Sequence, residues 1–270
     1  MNKTFFLLVP FFVFCFASCT VNKAKINNDL KKYFDSAHVE GSFSLLDNRT
    51  GSITVYNMNL DTQRISPGST FKIMTSLIGI QAGKITDENM VIKEDSLSNT
   101  KSEENKSLTM KEAFQISSAS YFQEIARQIG RETMKLWIDS IQYGNKDIDG
   151  PIDSFWLNNH LKISPDEQLG LMSKLYFDQL PFQKFAQQMV RNVMLMDDNT
   201  LYKLSYKTGL GIDENNNSTG WVVGWIEENR HVYFFVTLAK SPDKNIDMKT
   251  AEMNITKGIL KELGFFKGEM

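Results

Sequence analysis

Ser66-Pro67-Gly68-Ser69-Thr70-Phe71-Lys72 is followed by Ile73, Met74, Leu77, Ile78 and Ile80, at the spacing of one buried helix face. Pro67 and Gly68 interrupt the preceding chain, so a helix opens at this stretch. Ser69 and Lys72 then stand one turn apart on the same face, where an amine can take a proton from a hydroxyl. Ser-x-x-Lys occurs three times, since Ser98/Lys101 and Ser241/Lys244 also satisfy it. Only the Ser69 copy begins an apolar helix, whose first-turn N–H groups are unpaired and can face a developing oxyanion. The other two lie in polar sequence and read as solvated side chains.

Upstream, residues 41–47 and 52–56 are β-prone runs joined by Asp47-Asn48-Arg49-Thr50-Gly51, a hairpin signature, and 28–34 reads as a short amphipathic helix. Downstream, 93–106 is charged and reads as a surface excursion. The helical period returns over 110–130 as one helix stopped by Gly130, and a further helix covers 131–141. Ser164-Pro165-Asp166-Glu167 combines an N-cap Ser, Pro at the first helical position and Glu three residues after the cap, a strong helix start. Helices are expected over 165–178 and 182–196, then three β runs at 202–209, 220–227 and 232–239, and a closing amphipathic helix over 248–263. Strands at both ends must meet for either to be buried. The fold expected is α+β: an antiparallel β-sheet flanked by terminal helices (about 29–66 and 201–270) with an inserted helical lobe (about 69–198) and a cleft at the seam.

With 270 residues, 41% hydrophobic and 23% charged, the chain can build a substantial core. Its formal net charge of −2 gives no basic field for nucleic acid. His38, His160 and His231 are scattered without ligand spacing, so no metal site is expected. Residues 1–18 read as an export signal: Lys3, then an apolar run too short to span a membrane comfortably. Ala17-Ser18-Cys19 resembles a bacterial lipoprotein cleavage box, with Cys19 the acylated residue of an exported, periplasmic, membrane-anchored protein; an ordinary secretory signal is the alternative. Cys15 would leave with the signal, so no disulfide scaffold is expected. Residues 19–28 read as a polar tether and 29–270 as a single catalytic domain. Nothing in the sequence specifies an oligomeric state.

Three more short motifs follow in order: Ser117-Ser118-Ala119 on the helix expected over 110–130, Tyr143-Gly144-Asn145 after the next, and Lys207-Thr208-Gly209 ending a strand. Singly they read as helix surface, a plain turn and a strand end. Together with Ser69-x-x-Lys72 and with Phe155-Trp156-Leu157 and Gly220-Trp221-Val222-Val223-Gly224-Trp225, they make the chain resemble the class D β-lactamases from about residue 30 to residue 266.

The resemblance implies acyl transfer to Ser69, with small-molecule β-lactams as substrates. It implies an oxyanion hole from the N–H groups of Ser69 and Leu210, a proton relay at Ser117, and Lys207, Thr208 and Gly209 as the carboxylate-binding strand. It also implies that Lys72 carries CO2 as a carbamate and acts as general base, with Trp156 beside it and Phe71, Ala119, Phe122 and Leu157 as its pocket. The physical need is plain: at an ordinary pKa near 10.4 an exposed lysine is neutral only about once in 2,500 at pH 7. Two departures stand out. The family motif is Ser-x-Val, and Ala119 replaces Val, which should admit water to Lys72. The family's carboxylate-binding Arg of the last helix is matched by Glu252, which should repel the substrate; Lys249, three residues earlier, is the candidate substitute. The same motifs occur in β-lactam sensor domains, which acylate without turnover, and the fold in penicillin-binding peptidases. The absence of an N-terminal multi-span region argues against the first, and the Tyr-Gly-Asn and Phe-Trp-Leu elements against the second.

Overall fold

Residues 24–92 and 107–270 are described by the structure, a computed structural model. The export segment with Cys19 and the excursion expected at 93–106 lie outside them. The described elements are β1 (Ala24–Ile26), α1 (Lys31–Ser36), β2 (Glu40–Asp47), β3 (Ser52–Tyr56), α2 (Met58–Asp61), α3 (Lys72–Gln81), α4 (Met110–Gln115), α5 (Ala119–Ile129), α6 (Arg131–Ser140), α7 (Pro165–Tyr176), α8 (Lys184–Met194), β4 (Leu195–Asp198), β5 (Tyr202–Ile212), β6 (Ser218–Glu228), β7 (His231–Ser241) and α9 (Met248–Glu262).

Alternation along the long strands explains the layers. In β6 and β7, Trp221, Val223, Trp225, Phe234, Val236 and Leu238 face the helical lobe. Their neighbours Val222, Ile226, Tyr233, Phe235 and Ala239 face the terminal helices α1 and α9. Strands buried on both faces read as near-continuous apolar runs, as these do. The sheet runs β1-β3-β2-β7-β6-β5-β4. Its pairs are antiparallel except β1 with β3, and β2 lies against β7, so the strands from the two ends of the chain meet as expected.

Three local expectations need correction. The helix expected over 110–130 is two helices, α4 and α5, broken where Ser117 takes φ 63°. The segment expected to be a tether contains β1, whose three exposed residues pair with β3 through the backbone alone and leave no periodic trace in the sequence. The end of the helix expected over 182–196 is instead β4, which pairs with β5 only through Leu195, Asp197 and Asp198. From Tyr206 onward β5 has no outer partner among the described residues, and this free edge faces the turn that carries Ser69.

Candidate active site

Ser69 sits on a 3-10 turn, Gly68–Phe71, that leads directly into α3. Gly68 has φ 53°, and a Cβ there would lie 2.4 Å from the Leu210 carbonyl oxygen of β5. A Cβ at Gly209 would meet Thr70 Cγ2 at 2.8 Å and the Pro67 oxygen at 2.9 Å. The glycines of Pro-Gly-Ser and Lys-Thr-Gly therefore have one purpose, letting the nucleophile turn and the sheet edge touch backbone to backbone. That contact brings Leu210 beside the Ser69 turn, as an oxyanion hole from their two N–H groups requires.

Lys72 is 3% exposed. Its Nζ lies 3.1 Å from Ser69 Oγ, 2.9 Å from Ser117 Oγ and 2.6 Å from the Ser117 carbonyl oxygen. Offering both oxygens to one amine requires the left-handed backbone of Ser117, a conformation that costs a non-glycine residue about 1–2 kcal/mol. Ser118 then restarts the helix, its hydroxyl accepting from the Tyr121 N–H. Strained backbone of this kind clusters at functional sites.

Lys207, 1% exposed, donates to Ser117 Oγ at 3.1 Å and to the Thr208 carbonyl at 2.9 Å. Ser117 Oγ thus lies within hydrogen-bond reach of two amines. Burial pushes the Lys207 ammonium down to about 8; Glu252 pulls it back up and Lys249 adds to the fall. It keeps most of its charge at neutral pH and can receive an anion. Thr208 is half-buried beside it, and Lys249 is exposed at the start of α9.

One aromatic ring faces the lysine, and Phe71, next to it in sequence, packs in an aromatic cluster. Phe122 lies 5.7 Å from Nζ, and Phe71 stacks on Trp156 at 5.5 Å and meets Phe155 edge-on at 5.2 Å. Two pocket residues are placed differently from expectation. Ala119 is exposed at the start of α5 and Leu157 is 40% exposed, so neither is a buried wall. Lys72 is nevertheless buried without Val at 119, with the Phe122 ring near its Nζ. Glu252 also departs from expectation: it is 0% exposed, and burial pushes its carboxyl up to about 9, so it is neutral and does not repel an anion at neutral pH.

Several positioning residues escaped sequence reasoning. Ser66 donates to the Trp156 carbonyl at 2.8 Å and accepts from Trp221 Nε1 at 3.0 Å, joining loop, turn and sheet. Gln168 donates to Thr70 Oγ1 at 2.9 Å from the buried face of α7. A polar residue at apolar spacing, with Leu171, Met172 and Leu175 on the same face, is the signal that could have found it. Tyr143-Gly144-Asn145 is a clamp rather than a chemical motif. Asn145 accepts from the Lys162 N–H at 2.9 Å and donates to the His160 carbonyl at 2.6 Å, while Tyr143 packs edge-on against Phe71 at 5.5 Å. It holds down the loop that carries Trp156. His160, isolated in sequence, lies 3.6 Å from Asp147 in space, with Asp149 completing a solvent-facing group.

Ser69 on a helix-opening turn and two buried lysines sharing Ser117, beside a free sheet edge, form an arrangement suited to acyl transfer. The family model of the penicillin binding protein transpeptidase domain matches residues 41–263. The chain is 36% identical over 245 residues to the probable β-lactamase YbxI of Bacillus subtilis, covering 90% of this chain and 86% of that protein. A crystal structure of the class D β-lactamase YbXI from Nostoc superposes with TM-score 0.82 at 31% identity, covering 88% of this chain and 99% of the other. The C-terminal domain of the Bacillus licheniformis BlaR penicillin receptor superposes with TM-score 0.83 at 26% identity, covering 91% and 98%. The chain belongs to the class D β-lactamase family.

Proposed function

We infer that this protein hydrolyses β-lactams through an acyl-enzyme on Ser69. The observation that carries it is Ser117 Oγ, 2.9 Å from Lys72 Nζ and 3.1 Å from Lys207 Nζ, with Ser69 Oγ on the other side of Lys72. Ser69 Oγ attacks the lactam carbonyl carbon as its proton passes to the base at Lys72. The oxyanion is met by the Ser69 and Leu210 N–H groups. As the C–N bond breaks, Ser117 hands a proton to the departing nitrogen and is resupplied by the Lys72 base, which passes on the proton it took from Ser69. Lys207 and Thr208 hold the substrate carboxylate. Water, activated by the same base, then attacks the ester carbon, the bond to Ser69 breaks and Ser69 regains its proton.

Burial favours an uncharged amine, and an uncharged amine can take up CO2. The burial of Lys72, with the Phe122 ring near Nζ, fits a carbamate there, in which form CO2 would supply a carboxylate base beside Ser69. The test of function is turnover of a chromogenic cephalosporin with intact-mass measurement during the reaction. Many turnovers per enzyme establish hydrolysis, whereas one equivalent of product with a persistent adduct establishes sensor-like acylation. Because CO2 adds only to the uncharged amine, stripping it at about pH 6 is expected to lower turnover several-fold, and bicarbonate to restore it. A rate indifferent to CO2 would remove the carbamate from the mechanism.

Lys249 is the second cation proposed for the substrate carboxylate. Its charge is felt at both Lys207 and Glu252. Lys249→Ala is expected to raise KM for penicillins about two- to fivefold with kcat unchanged, the mark of lost uniform binding. Unchanged KM would leave Lys207 as the anchor. For localisation, acylation of Cys19 after export remains the proposal, supported by Ala17-Ser18-Cys19 closing the apolar run. Multiple acyl chains anchor stably where one does not. Expressed with its own signal, the protein should fractionate with membranes and Cys19→Ala should not; identical soluble behaviour of both would leave only a secretory signal.

A further inference from the structure

Glu252 is a buried acid for which neither the fold nor the chemistry above has a use. It lies on α9 at 0% exposure, and neither carboxyl oxygen has a hydrogen-bond partner among the described residues; the Trp221 N–H approaches it without closing a bond of normal geometry. An apolar side chain would fill the space at no such cost. The sheet nevertheless makes room for it: a Cβ at Gly220 would lie 2.3 Å from Glu252 Oε2, so the glycine notch in β6 is what admits the carboxyl.

The register places that notch. Gly220 pairs with Leu210 and Val222 with Thr208, and Val222 packs in the core beneath α9. Side chains directly opposite share a face, so Gly220, Thr208 and Leu210 present to α9 while Lys207 presents to the lobe. The carboxyl therefore stands one strand behind the free edge of β5, at the level of the residues that receive the substrate carboxylate. Its charged neighbours among the described residues are Lys207 on β5 and Lys249 and Asp247 at the start of α9, with the uncharged Trp221 backbone from β6.

We propose that Glu252 is a specificity-determining residue for anionic substrates: protonated, it leaves the Lys207 end of the cleft attractive, and ionised, it sets a buried negative charge behind β5 that opposes the substrate carboxylate. Burial keeps the carboxyl neutral up to about pH 9, so the opposition is confined to alkaline conditions. The proposal rests on the hydrolytic reading above and extends it to the range of pH in which carboxylate-bearing β-lactams bind.

The experiment measures KM and kcat for benzylpenicillin from neutral pH to about pH 10, in wild type and Glu252→Gln, with spontaneous hydrolysis subtracted. Ionised Glu252 also helps Lys207 keep its charge, which would lower the ratio of wild-type to variant KM, so only a rising ratio reports the acid's own opposition to the substrate. The ratio is expected to be near unity at neutral pH and to rise roughly tenfold by the alkaline end, the order set by two like charges separated by a strand, while the ratio of kcat values stays flat. A flat KM ratio, or a change confined to kcat, overturns the proposal. If Glu252→Gln does not fold, Glu252→Met, similar in volume and without a charge, takes its place with the same expectation. Absence of turnover by the wild type at neutral pH would overturn the hydrolytic reading itself; a flat ratio in an active enzyme overturns only the role of Glu252.

Discussion

Ser69→Ala is expected to abolish acylation and turnover together, while Lys72→Ala still acylates slowly and accumulates the covalent adduct. Without Ser69 Oγ no bond to the substrate can form, and the loss should reach on the order of 10⁴-fold or more. Lys72 has two tasks that differ in difficulty. For acylation, the attacking hydroxyl is already held at the turn, and Ser117 retains Lys207 as a second amine neighbour at 3.1 Å. For deacylation, an incoming water has no comparable partner, so losing the base should slow that step by about 10²–10⁴-fold. Intact-mass spectra of Lys72→Ala with penicillin should show a persistent adduct, and Ser69→Ala none. Rapid adduct clearance in the Lys72 variant would remove that residue from the role of base.

Gly68→Ala carries the second large effect, on both stability and rate. The new methyl would sit at φ 53°, where an L side chain is strained, and 2.4 Å from the Leu210 carbonyl oxygen, a backbone atom that no rotamer change can move. The combined cost is expected to be about 3 kcal/mol or more, which for a chain of this size lowers Tm by roughly 5 °C or more. Relief comes by separating the Ser69 turn from β5, which draws the Leu210 N–H away from the oxyanion and lowers kcat by about 10²-fold. Gly83→Ala is the matched control. Gly83 has φ 67° but nothing among the described residues within 4 Å of its added Cβ, so it should cost about 1 kcal/mol and leave kcat untouched. Wild-type kcat in Gly68→Ala would show that the backbone contact is not part of the catalytic geometry.

The elements that sequence resolved are those whose signal is local. The β2–β3 hairpin, the capping box at Ser164 and Glu167, the Gly130 stop and the helix after Ser69 each follow from residues a few positions apart, and each stands in the structure. Periodicity failed where a tertiary contact pays a local cost. Residues 110–130 carry an unbroken helical pattern, yet the chain breaks at Ser117, because an amine buried from another helix takes both of its oxygens. β1 is invisible for a related reason: its stability is backbone pairing with β3, which writes nothing into side-chain order.

The same division runs through the site. The sequence, with the family resemblance, singled out Ser69, Lys72, Ser117 and the Lys207-Thr208-Gly209 strand as candidates, and the fold brings these side chains together. What Tyr143-Gly144-Asn145 does, why Gly68 and Gly209 must both be glycine, and that Ser66 and Gln168 hold the Ser69 turn were decided only when distant segments met. Glu252 shows the limit most plainly. In sequence it is an acid on a helix, charged and expected to repel. In the fold, the glycine notch of β6 and the packing of α9 strip it of water, and desolvation, which no local pattern encodes, makes it neutral at neutral pH.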